Sequence, residues 1–147
     1  MINLRENTAN IEIVLAIAGA SGMIFMVGNP AFGEVLMGAA LSLLLVLYLL
    51  ISIMPPDPEA YNKFQVILNR INFMASACVV LLMLILLFYL PGRLAVALPA
   101  LALLAVCIAL NAAHRHIYGI KEKGHYFSQA RLLLLAGVMV IVLLWGP

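Results

Sequence analysis

Five apolar stretches, at about residues 11–28, 32–54, 66–90, 94–113 and 131–146, limit what this chain can fold into. A bilayer core about 30 Å thick is crossed by roughly 20 apolar residues in helical form. Backbone in lipid must also satisfy its own hydrogen bonds, which favours helices over open strands. The composition agrees: of 147 residues, 66% are hydrophobic and 10% charged, whereas soluble domains carry about a quarter charged residues. The expectation is an all-α integral membrane protein of five transmembrane helices, over about 11–28, 32–54, 58–90, 94–116 and 131–146. Together they make a single polytopic domain over residues 1–147. The polar remainder is the first ten residues and the loops near 55–65 and 114–130, too little for a separate soluble domain.

Charge sets the orientation. With a cytoplasmic amino terminus, Arg5, Lys63, Arg70, Arg115, Lys121, Lys123 and Arg131 fall inside and Arg93 alone falls outside, the distribution of the positive-inside rule. The carboxyl terminus, "LLWGP", then lies outside with Trp145 at interfacial depth. A cleaved signal peptide is the alternative for the start, since "AIAGAS" has small residues at a cleavage spacing. Glu6 and Glu12 beside Arg5 make a poor basic n-region, however, and the apolar run continues to Val27, so the first helix is expected to stay.

The segment "FMVGNPAFGEV" reads as a bend. Gly28 suits a left-handed helix stop, Asn29 an N-cap, and Pro30 the first turn of the next helix. Glu34 falls near the amino end of helix two, where the helix dipole favours a carboxylate; it is a candidate ion site. "YLPGRLAVALPALALL" repeats the device with Pro91 and Gly92. The ungapped shift that sets Pro30 on Pro91 also sets Val35 on Val96, Ala39 on Ala100, Leu43 on Leu104 and Leu49 on Leu110. Two tandem parallel-repeat hairpins plus one C-terminal helix follow, unlike the inverted repeats of many transporters. Between them, Pro55 and Pro56 stop helix two, while Asp57, Pro58 and Glu59 open helix three. Helix three is long enough to begin along the interface, with Tyr61 and Phe64 at headgroup level and Lys63 reaching for water or anionic lipid.

The stretch "LAIAGASGMIFMVGNPAFGEVLMGAALSLLLVLYLLISI", within residues 13–53, resembles the two-helix membrane hairpin of the gliding-motility and type 9 secretion motor stator subunit, and related small membrane proteins of Bacteroidota. Shared are an apolar glycine-containing helix, a short turn and a leucine-rich helix ending in a polar loop. The family stator carries a lysine near the end of its first helix and an intramembrane glutamate in its second; the nearest positions here are Met26 and Ser42 or Leu43. Proton-driven motor activity therefore does not carry over. What the resemblance implies is a hairpin that packs with copies or partners, in a bacterial inner (cytoplasmic) membrane.

Small residues let helices approach closely in lipid. Gly19 with Ala16, Ala20 and Met23 on helix one, Gly38 with Ser42 on helix two, and Ala102, Ala105, Ala109 and Ala112 on helix four form such faces. They serve either packing inside the bundle or contact between subunits. Cys107, Asn111, His114 and Tyr118 make one helical stripe at the cytoplasmic end of helix four, level with Glu12, Asn69, Arg70 and Asn72. Two readings stand: a hydrated rim, or a lipid or anion contact built from Arg70, Asn111, His114, Arg115, Lys121 and Lys123.

No catalytic chemistry is indicated. The sequence holds no HExxH, CxxC, phosphate-cradling glycine loop or plausible Ser-His-Asp set. Ser21, Ser42, Ser52 and Ser76 read as hydroxyls bonded back to their own helices, and Cys78 and Cys107 as buried small residues. His114, His116 and His125 belong to one segment, which argues against a haem held between two helices and against a metal; no cofactor is expected. Three cations in "GIKEKGHYFSQAR" suit the membrane surface rather than nucleic acid. The expected partners are the lipid bilayer, anionic lipid, and further copies or a larger membrane complex. The leading reading is a non-catalytic membrane subunit or scaffold. The second is a small oligomeric channel or transporter for an ion or small solute, against which stands the lack of an acid or base assigned by the sequence to mid-membrane.

Overall fold

The computed structural model describes residues 4–54, 63–88, 93–118 and 123–145, with side chains for 7–54, 63–88, 95, 97–117 and 129–140. The chain is all-helical: α1 (Leu4–Gly28), α2 (Pro30–Ile53), α3 (Lys63–Phe88), α4 (Arg93–Tyr118) and α5 (Lys123–Trp145). The first four contain spans long and apolar enough to cross a membrane, the first of them Asn7–Gly28 and the fourth Ala97–Ile117. In α5 the described apolar stretch, Gln129–Val140, is shorter. The first and fifth helices begin earlier than the apolar pattern alone suggests, because α1 and α5 carry polar turns ahead of their apolar runs. The expected interfacial start of helix three lies outside the described residues.

Asn29 alone separates α1 from α2. Its side chain caps α2 by accepting from the Phe32 amide at 3.3 Å, and Pro30 occupies the first turn. Gly28 ends α1 without a left-handed φ, so the stop is set by the extended Asn29 backbone, φ −143° and ψ 89°, not by glycine. Two other glycines hold the hairpin shut. A Cβ on Gly33 would lie 2.5 Å from the Met26 nitrogen and 2.7 Å from the Gly22 carbonyl oxygen, and one on Gly22 would lie 2.8 Å from the Met37 nitrogen. The two backbones therefore touch where only hydrogen fits, the contact that replaces hydrophobic drive in lipid. Phe25 and Phe32 meet edge to face at 5.4 Å near the turn.

The centre is α3, which packs against α2, α4 and α5; α1 packs on α2, and α5 on α4 and α3. Val79 and Val80 of α3, Ala97, Ala100 and Leu104 of α4, and Leu132 and Met139 of α5 are wholly buried. Gly38 is buried against Phe88, whose Cζ would stand 2.9 Å from an added Cβ. Gly19 is looser, its added Cβ meeting only the Ala40 Cβ at 3.9 Å. Ser21, Ser52 and Ser76 each donate to a carbonyl of their own helix at 2.8 Å.

On α4 the alanine face does not enter the bundle. Its buried positions are Ala97, Ala100, Leu104, Cys107, Asn111 and His114, whereas Ala102, Ala105, Ala109 and Ala112 are exposed. The stripe is a single face, as its spacing requires, but the polar stripe of the same helix is the one turned inward. Large apolar side chains such as Val14, Ile17, Ile24, Val35 and Leu133 are also exposed, which suits helices bathed in hydrocarbon.

Candidate functional site

Four helices meet at one buried charge pair. Arg131 of α5 places Nε 2.7 Å from Oε1 of Glu12 on α1, and each side chain is 8% exposed. Tyr48 of α2 lies against the same pair. The guanidinium carbon stands 4.1 Å from the centre of the Phe73 ring on α3 and 5.5 Å from that of Tyr48. Those two rings are 6.1 Å apart and tilted by 52°. One carboxylate and two aromatic faces thus surround one cation.

The arrangement holds by field more than by hydrogen bonds. The Nε–H is not aligned on Oε1, and among the described residues Arg131 Nε, Arg131 Nη1 and Glu12 Oε1 make no hydrogen bond. A bidentate fork between arginine and carboxylate would have used two parallel bonds. What remains is charge attraction in a poorly polarisable interior and attraction of the cation to the ring faces, about 2 kcal/mol or more when desolvated. Glu12 lies inside the apolar span Asn7–Gly28 and Arg131 inside the shorter apolar stretch Gln129–Val140, where a buried charge without a counter-ion is costly. Each charge stands near the start of its apolar stretch rather than at its middle, and the two neutralise each other.

Beside this pair, Asn72 of α3 and Asn111 of α4 exchange amide hydrogen bonds of 2.9 and 2.8 Å, and Asn111 Nδ2 also donates to the Cys107 carbonyl at 2.7 Å. Both asparagines are 1% exposed. The reciprocal pair joins α3 directly to α4. His114 is buried, its ring stacked on Phe64 at 5.4 Å and 23°.

The residues grouped for a lipid or anion contact are not one site. Asn111 and His114 are inside the bundle, engaged with Asn72 and Phe64, while Arg70 and Arg115 are exposed. Lys121 and the side chain of Lys123 lie outside the described residues, as does the side chain of Tyr118. Arg70 lines an open apolar groove with Ser52, Ile71, Met74, Cys78 and Leu103. Cys78, expected buried, is exposed there; Cys107 is buried. Glu34 is exposed one turn into α2 and takes part in no ion pair among the described residues. Among those residues no three His, Cys, Asp or Glu side chains gather as a metal site would require.

Sequence reading sees the inward stripe of α4 but misses the charge pair. Arg131 counts there only as an inner-side cation, and Glu12 only as the start of helix one. The available signal is two lone charges of opposite sign, each set inside an apolar run, with Tyr48 in a leucine run of a third helix. The chain matches no protein-family model, no curated protein and no solved structure.

Proposed function

We propose that the chain is a non-catalytic subunit or scaffold of the membrane that works by associating with its own copies or with a larger membrane complex. The observation that carries this reading is the exposed alanine face of α4, Ala102, Ala105, Ala109 and Ala112. A face turned to lipid gains nothing from small side chains, whereas a second helix gains close approach. The polar side chains of the interior support it too, since Asn72, Asn111, Glu12 and Arg131 engage one another. In this reading all five helices cross a bacterial inner membrane as two tandem hairpins plus α5, with the amino terminus cytoplasmic and the carboxyl terminus outside, as the lysine and arginine distribution favours. Arg70 and Arg115, exposed towards the cytoplasmic headgroups, contact anionic lipid.

Single cysteines at Ala102, Ala105 and Ala109, in a chain whose Cys78 and Cys107 are replaced, test the face. Oxidation in native membranes is expected to link these positions to a second chain, and cysteines at Ala97 or Ala100 are expected not to link. Equal or absent linking at both sets contradicts the reading.

A second reading, a small oligomeric channel or transporter, is favoured by Glu12 and Arg131, because charges within apolar spans commonly mark transport paths. Ion or solute flux through liposomes holding the purified protein, lost on Glu12→Gln, is the result that would put it first.

A further inference from the structure

The Glu12 cluster has the chemistry of a receptor, and Arg131 is its present occupant. Three helices supply the walls: a carboxylate from α1, a ring with a hydroxyl from α2, and a second ring from α3. The cation arrives from α5, which packs on α3 and α4. A carboxylate with two ring faces recognises positively charged carbon–nitrogen groups in general, by charge and by ring quadrupole. It does not demand an arginine side chain. The guanidinium is also held incompletely, with Nε and Nη1 lacking hydrogen bonds among the described residues, so a free cation can align on the carboxylate in a way the tethered side chain does not.

We propose that Glu12, Tyr48 and Phe73 form a seat for a small organic cation of guanidinium or alkylammonium type, which Arg131 fills from within the chain. Occupancy by a free cation and docking of Arg131 exclude each other, so the seat couples ligand binding to the hold of α5 on the bundle. This is independent of the assembly reading, because the seat is complete within one chain.

The test uses the purified protein in detergent, titrated with guanidinium chloride in the millimolar range against sodium chloride of equal ionic strength, and followed by thermal unfolding. Arg131→Ala empties the seat. A saturable rise in Tm is expected for that variant, with half-effect at a guanidinium concentration at least tenfold lower than in the wild-type chain. The wild type is weaker because a tethered side chain competes at an effective concentration in the millimolar range or above. Adding Glu12→Gln or Phe73→Leu to Arg131→Ala is expected to weaken the half-effect at least tenfold. A featureless fall in Tm with guanidinium in Arg131→Ala, or a response unchanged by Glu12→Gln, overturns the proposal.

The wild-type chain provides a second readout if Arg131→Ala does not fold. With nitrogen-15 in its arginines, the Arg131 Nε signal starts displaced by the Phe73 ring and is expected to move saturably towards the free-arginine position as guanidinium is added. A signal that stays in place to the onset of unfolding overturns the proposal.

Discussion

Arg131 is held by one close oxygen and two ring faces, so its removal leaves Glu12 charged and buried without a counter-ion. Breaking one side of a buried pair costs about 3–5 kcal/mol, and replacing both sides by apolar or neutral groups costs much less. Glu12→Gln and Arg131→Met are each expected to lower unfolding free energy by about that amount, and the double variant by less than either single. A denaturant or thermal double-mutant cycle in detergent checks this; simple additivity would show that the two side chains do not act as a pair. The asparagines obey the same logic at smaller scale. Interhelical hydrogen bonds in membranes average about 0.6 kcal/mol, so Asn72→Leu, which removes two and takes the Asn72 donor from Asn111 Oδ1, is expected to cost about 1–2 kcal/mol. Equal stability of Asn72→Leu and wild type in the same assay would deny the reciprocal bonds any weight. Asn111 and His114 were legible in the sequence because they share a helix, where spacing alone defines a face. Glu12 and Arg131 were not, because they sit on the first and last helices and only the fold brings them together.

Helix ends were legible where local chemistry fixes them. "GNP" places the α1–α2 turn within a residue, although the backbone stops at Asn29 rather than through a left-handed Gly28. Faces were harder. The alanine spacing on α4 predicts one stripe without saying which way it turns; in the fold the opposite face, with Ala97, Ala100, Leu104 and Asn111, is the buried one, and Asn111 bonds Asn72 of α3. Gly22 and Gly33 went unnoticed as contacts because glycine serves turns and close approaches alike, and only the hairpin geometry separates them. Gly33→Ala is expected to destabilise by about 1–3 kcal/mol through overpacking against backbone. Gly28→Ala, with nothing within 4 Å of its added Cβ, is expected to change stability by less than about 1 kcal/mol. Thermal unfolding of the two variants side by side checks the contrast, and a Gly33→Ala protein as stable as wild type would refute the close backbone contact.

At the scale of the molecule, the bundle neutralises its inner charges and carries an unused small-residue face outside. The all-helical fold and four helices long and apolar enough to cross a membrane were plain in the sequence; partners are not written in any one motif, since association surfaces differ from lipid-facing ones only in side-chain size. Association is the central claim, and native mass spectrometry of the protein released gently from its own membrane tests it most directly. The account predicts a mass equal to several copies of the 15.9 kDa chain, or one carrying other chains in fixed ratio. A single chain with only bound lipid, in every gentle extraction, would contradict it.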